Sequence, residues 1–315
     1  MKLFLKKTTL FIGFTVIFYS FCTILWGLYF SSALTKNINH RIGSYGHMNS
    51  RIKDLKSHGN VDILFLGSSH AYRGFDPRIF KKNGINVFNL GSSSQTPIQT
   101  EILVNRYLEL LSPKLVIYEV YPGTFSSDGI ESAMDIIAND KNDIDIIKMA
   151  LKFNHIKVYN TLLYDLFREA FSLDSDFVED AKKGDDTYIE GGFVEKKLAY
   201  YDEMNSHPAR SWNLRQDQLN SFERILKRLR GKEVDVVLVQ IPLTSSLYNS
   251  YLNNLEVDSY FSGLDNYYNF NELIELSDNQ YFYDAHHLNQ AGVEIFNREL
   301  LKILKNDGIL KNHGL

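Results

Sequence analysis

Between Lys7 and Lys36 the chain carries no charged side chain, and the centre of that run, residues 10–30, is dominated by Phe, Ile, Leu, Val and Tyr. About 20 such residues suffice to cross a bilayer as a helix. No face of this run is polar, as one face of a surface helix of a soluble domain would be. Lys2, Lys6 and Lys7 precede the run. Positive flanks stay on the cytoplasmic side, so the expectation is a single-pass membrane anchor over residues 1–35. Its N-terminus is then cytoplasmic and the rest of the chain extracytoplasmic. Trp26 and Tyr29 lie near the outer end, where amphipathic rings prefer the interface. The competing reading is a cleaved signal peptide, with Ser31-Ser32-Ala33 as the small-residue cleavage site. The apolar run exceeds the usual ~7–15-residue signal core, which favours the uncleaved anchor.

The rest of the 315 residues suffices for one sizeable core. Cys22, inside the apolar run, is the only cysteine, so no disulfide is expected within the outer domain. The 34 basic and 38 acidic side chains nearly balance. A nucleic-acid partner, which asks for a basic surplus, is not expected.

Residues 36–57 are polar and mixed and read as a stalk, helical near 48–56. From there to about residue 310 a rhythm sets in. Short apolar runs at 61–66, 85–90, 115–120 and 234–241 end at or just before Gly67, Gly91, Tyr121-Pro122-Gly123 and Pro242. Runs this short that stop at a glycine or proline read as buried strands. Helical periodicity falls at about 96–111, 214–230 and 289–305, and a short aromatic strand is expected at 280–283. Strands buried on both faces and alternating with helices imply an α/β fold, a three-layer α/β/α sandwich around a parallel sheet of about five strands. The stretch 124–212 breaks the rhythm. Residues 144–171 read as one or two helices and 172–192 as loop. The whole reads as a helical insertion, either a lid over a site or a plain structural extension.

In such sheets ligands gather beyond the carboxyl ends of the strands. Ser68-Ser69-His70, Ser92-Ser93-Ser94-Gln95 and Asp284-Ala285-His286-His287 each follow a strand-like run. Serine is a weak nucleophile until a base takes its proton and a third group orients that base. An Asp three residues before a His can supply both. Two bland alternatives stand beside this reading: Ser68 or Ser69 as a helix cap, and Asp284 as the cap of the last helix, a role Asn289 would serve equally well.

Taken together, Gly67-Ser68-Ser69 and Asp284-Ala285-His286-His287 resemble the first and last motifs, G-D-S and D-x-x-H, of the SGNH (GDSL-like) hydrolase superfamily. The resemblance spans roughly residues 58–305. It is nearest the membrane-anchored branch of D-alanyl-lipoteichoic acid transfer proteins and alginate-type O-acetyltransferases, through Gly67 to Asp76, Asn89 to Thr96 and Phe282 to Asn289. It implies an SGNH/flavodoxin-like sheet, Ser69 as nucleophile, His287 as base, Asp284 as orienting acid, and an amide donated to the oxyanion by Gly91. Two departures stand out. Ser68 replaces the usual aspartate, and Tyr118-Glu119-Val120-Tyr121-Pro122 stands where the third motif, G-x-N-D, would be. Gln95 is a candidate replacement for the missing oxyanion donor.

Of the neighbours, His70 is a candidate substrate contact, though local pairing is the simpler expectation. Arg73 is a candidate anion ligand, with an ion pair to Asp76 the favoured alternative. Glu119 reads either as a pKa-tuning group or as a structural acceptor, and His286 is expected to point away from the site. Histidines and carboxylates show no metal-ligand spacing, so neither a metal nor a cofactor is expected. The implied activity is extracytoplasmic acyl transfer on a cell-envelope glycan or teichoic-acid-like polymer, as O-acyltransferase or as esterase or deacetylase. The implied partners are that polymer or its acyl donor, the membrane, and a membrane-bound acyl-transfer protein. The alternative is a non-catalytic assembly or scaffold protein that keeps the fold.

Overall fold

The computed structural model describes residues 1–31, 33–38, 42–43, 45–202 and 207–315. Ser32 of the candidate cleavage site, four positions of the stalk and four of the insertion lie outside the described residues. The chain divides into two compact units, one of residues 1–42 with 133–178 and one of residues 43–132 with 179–315.

The larger unit is built on a five-stranded sheet. Its strands are β1 (Ile63–Leu66), β2 (Val87–Asn89), β3 (Leu115–Glu119), β4 (Asp235–Gln240) and β5 (Asn266–Asn269). All neighbours are parallel and the spatial order is β2-β1-β3-β4-β5. That is the order of doubly wound, flavodoxin-like sheets. Alternate strand residues point to opposite faces. Ile63, Phe65, Leu115, Ile117, Val237 and Val239 therefore share one face. They pack with Phe75 and Phe80, and with Val293, Phe296, Leu300 and Leu304 of the last long helix. On the other face Tyr118 meets the ring of Phe222 edge-on at 5.1 Å. Helices thus cover both faces, and the three-layer sandwich expected from the strand rhythm is what forms.

The helices that matter here are α1 (Lys2–Tyr29), α2 (Met48–His58), α3 (Ser69–Gly74), α4 (Pro97–Leu111), α5 (Gln216–Gly231) and α6 (Gln290–Asn306). Their starts follow local chemistry. Pro97 opens α4 behind a Thr96/Gln99 capping box, with the fixed proline φ already helical. Asn289 caps α6 by accepting from the Gly292 amide at 3.1 Å.

Two expectations fail. Residues 182–196, within and just past the stretch read as loop, form a small antiparallel sheet of Lys182–Lys183, Asp186–Ile189 and Phe193–Lys196. Its acidic and glycine content hid a hairpin whose last strand buries Phe193 and Val194. The fifth strand is Asn266–Asn269, too polar to stand out. The aromatic segment at 280–283 instead contains a helical turn, Asp278–Tyr281, followed by a single antiparallel bridge from Phe282 to Leu288.

The smaller unit consists of α1 with the helices Ile144–Phe153 and Ile156–Ala170, and the boundary falls within helix Ile130–Asn139. α1 is long and apolar enough to cross a membrane. Only Thr23 and Gly27 along it are buried. Tyr19 donates to Asn160 Oδ1 at 2.7 Å, and Gly27 faces the ring of Tyr164 so closely that any larger side chain would collide with it.

Candidate active site

β1 ends at Leu66, and the chain turns sharply through Gly67, whose φ of 140° side chains rarely adopt. A Cβ there would also sit 2.7 Å from Glu119 Oε2. Ser68 follows, extended and buried, and is fully engaged. Its amide and its hydroxyl both donate to Glu119 Oε2, at 3.1 and 3.0 Å, while its Oγ accepts from the His70 amide at 3.2 Å. Ser68 is thus the N-cap of α3 and a core-facing residue at once. Ser69 is the first residue of α3 and is partly exposed.

The partner loop is equally local. Asp284 Oδ1 accepts from the amides of His286 and His287 at 2.9 and 2.8 Å. The Phe282–Leu288 bridge pins the base of this loop, and Thr244 pins its tip by donating from both amide and hydroxyl to the Ala285 carbonyl, at 3.1 and 2.8 Å. Asp284 therefore does not cap α6. Its carboxylate lies 2.9 Å (Oδ2) and 3.1 Å (Oδ1) from His287 Nδ1, and His287 Nε2 lies 2.9 Å from Ser69 Oγ. Tyr283 stacks on the His287 ring at 5.4 Å and 4°. Burial alone would raise the Asp284 carboxyl. The hydrogen bond from His287 and the positive potential of both histidines outweigh it and hold the group well below the usual carboxylate range.

His70 neither faces solvent nor pairs locally. It is buried, stacks on Tyr121 at 4.1 Å, and its Nε2 lies 3.2 Å from Nδ1 of His286. His286, expected to point away, thus turns into the site, its ring 4.0 Å from that of His287. Burial, then repulsion from the neighbouring imidazoles, pushes His70 well below its ordinary value. Burial and then His287 bring His286 down to about 4. Both shifts favour the neutral imidazole, and the carboxylate that faces the His287 ring is Asp284.

The remaining candidates have partners of their own. The Gly91 amide donates to Asn89 Oδ1 at 3.1 Å, so it is already engaged. Gly91 earns its place sterically, since a Cβ there would lie 2.7 Å from the Ser68 carbonyl. Gln95 is buried and donates to Thr100 Oγ1 at 2.9 Å. Arg73 pairs in a bidentate fork, not with Asp76 but with Asp186 of the antiparallel sheet, at 3.0 and 2.7 Å. Asp76 instead caps the next helix and pairs with Arg78. Glu119 is a buried acceptor whose carboxyl is pushed up to about 7 by burial. Tyr121, which seats His70, was signalled only by its place at the end of a strand. Asp186 and Thr244 carried no sequence signal.

No family model and no curated protein matches the chain. Among solved structures it is similar to a GDSL-like lipase from Bacteroides thetaiotaomicron, at 12% identity and a TM-score of 0.41, over 83% of this chain and 98% of that one. It is likewise similar to a proposed acylhydrolase from Bacteroides fragilis, at 10% identity and a TM-score of 0.42, over 83% of this chain and 97% of that one.

Proposed function

We propose that this chain is a membrane-anchored serine acyl hydrolase or acyltransferase acting outside the cytoplasm on an acylated cell-envelope glycan or teichoic-acid-like polymer. The observation that carries the reading is the unbroken line Ser69 Oγ, His287 Nε2, His287 Nδ1, Asp284 Oδ2, with 2.9 Å at each junction. This is the spacing a nucleophile–base–orienter set requires.

Ser69 Oγ attacks the carbonyl carbon of an ester while His287 Nε2 takes the hydroxyl proton. Asp284 holds the imidazole with Nδ1–H toward itself and stabilises the imidazolium without taking its proton. The amide of Ser69, at the first position of α3, needs no intrahelical acceptor and supports the developing oxyanion. Collapse of the tetrahedral intermediate breaks the ester C–O bond, and His287 returns the proton to the departing alkoxide. An acyl-Ser69 enzyme is left. Water resolves it in an esterase; a polymer hydroxyl resolves it in a transferase, with His287 again taking the proton. An anchored domain favours a polymer near the membrane, which supports the transferase form.

Labelling with a fluorophosphonate probe tests the chemistry, and aryl acetate hydrolysis tests turnover. Both should be present in the wild type and absent in Ser69→Ala. Undiminished labelling of Ser69→Ala would overturn the reading.

A further inference from the structure

Metal-ligand spacing is absent from the sequence because two of the relevant residues are adjacent and the third lies 216 positions away. The fold nevertheless brings three imidazoles together. His70, His286 and His287 each offer one nitrogen, and the three atoms lie within 4.8 Å of one another. His70 Nε2 and His286 Nδ1 are 3.2 Å apart. Bonds of ~2.0–2.1 Å at the tetrahedral angle place donor atoms about 3.3 Å apart, so this pair already has the length of one edge of a zinc tetrahedron.

Two of the rings are held in advance. His70 is buried against Tyr121 at 4.1 Å. His287 has its Nδ1 on the Asp284 carboxylate at 2.9 Å, the outer-shell partner that metal-bound histidines characteristically keep. With Nδ1 so occupied, the nitrogen His287 can give to a metal is Nε2, the one now 2.9 Å from Ser69 Oγ.

We propose that His70, His286 and His287 form a three-histidine site for a divalent transition metal ion of the zinc class, and that its occupation takes His287 away from Ser69. The ion binds through three imidazole nitrogens and completes its tetrahedron with water. The nucleophile then has no base. Metal binding stands on the geometry alone; the loss of activity rests on the acyl-transfer reading above.

The test is a zinc titration of the purified full-length chain in detergent by calorimetry, with cobalt absorption as a spectroscopic signature. One ion per chain is expected, with intense visible cobalt bands of tetrahedral character. His286→Ala should weaken binding by at least about tenfold. So should His70→Phe, which keeps the ring stack on Tyr121. Circular dichroism of both variants establishes that they are folded. Ser69→Ala should bind as tightly as wild type. Asp54, His58 and Glu190 form a second cluster with ligand atoms equally close, although the Asp54 Oδ2 already accepts from Tyr188 and from the Gly191 amide. His58→Gln should therefore leave binding unchanged. No saturable binding, or binding lost in His58→Gln and kept in His286→Ala, overturns the site. Zinc should abolish aryl acetate hydrolysis, and a chelator should restore it. Zinc bound at full occupancy with undiminished hydrolysis overturns the coupling to Ser69. A metal-free chain that hydrolyses no aryl ester counts against the acyl-transfer reading, while the titration still decides the metal site.

Discussion

Removing either end of the Ser69–His287 hydrogen bond should remove the same function, so the two losses should not multiply. Ser69→Ala and His287→Ala are each expected to lower kcat for aryl acetate by roughly 10³-fold or more, and the double variant by little beyond that. Asp284→Asn should leave more residual activity, because it disturbs the orientation of the imidazole and its charge rather than the attacking atom. Single-turnover kinetics on the four proteins measure this, and multiplicative losses would break the proposed unit. Ser68→Ala supplies the contrast. It removes a cap and a bond to Glu119, so it should cost about 1 kcal/mol of stability and leave labelling of Ser69 intact. Glu119 carries a pH dependence whose sign follows from its raised value. Its folded carboxyl titrates at about 7 against 4.5 for the free group. The stability that the neutral form provides is therefore fully present below about pH 4.5 and is lost as pH rises through about 7. Glu119→Gln stays neutral, keeps an acceptor for Ser68, and should raise the thermal midpoint at pH 8 far more than at pH 5. The difference is on the order of 1–3 kcal/mol. Equal shifts at the two pH values would show that the carboxyl is not neutral when folded.

At the scale of elements, the fork between Arg73 on α3 and Asp186 on the antiparallel sheet joins two segments far apart in sequence. Both side chains are largely buried, at 13% and 22% exposure, so the pair is costly to break from one side. Arg73→Ala and Asp186→Ala should each destabilise the chain by about 2–4 kcal/mol, and the double variant by clearly less than the sum. Denaturant midpoints of the three proteins read this out. Strict additivity, or a rise in KM for anionic esters with no loss of stability, would return Arg73 to the substrate-binding role considered from the sequence. This fork also shows where the sequence stopped being legible. β1 to β4 and the helices α4 to α6 were readable because each writes its own period and its own stop signal. Residues 63–66 are apolar without interruption and halt at a glycine. Side-chain partners were not readable, because Arg73 had an acidic residue three positions on and the fold chose one 113 positions away. The same holds for His286. Local geometry suggested that it points away from His287, but the Asp284 turn, held by two amide bonds, rotates it into the site. Ser69, Asp284 and His287 were legible because their motifs are short and each is set by its own loop.

For the whole molecule, residues 1–42 and the segment 133–178 form one compact unit, and the rest of the chain with the sheet forms another. Of the insertion at 124–212, read as lid or extension, residues 133–178 thus group with α1, while 124–132 and 179–212 group with the sheet. Within that unit α1 exposes nearly every side chain before Tyr19 and packs afterwards through Tyr19, Thr23 and Gly27. The bare half suits lipid and the packed half suits protein. In the topology proposed above, the packed half is the outer end of the anchor and carries its own helical collar, and Lys2, Lys6 and Lys7 lie at the opposite, cytoplasmic end. Alkaline phosphatase fused after residue 60 should then be active in a bacterial host, and a cytoplasmic reporter at the same place silent. Reversal of the two signals would reject the topology and, with it, an envelope substrate. Gly27 tests the collar separately. Gly27→Leu adds a side chain where the ring of Tyr164 already stands. Helix propensity should rise slightly and the apolar length of α1 is kept, so insertion and reporter activity should be unchanged. What should change is the packing of Ile156–Ala170 on α1, seen as faster amide hydrogen exchange over 156–170 with the exchange of β1 and β3 unaffected. Unchanged exchange there would mean that the collar does not depend on the anchor, and that the two helices share a unit without supporting one another.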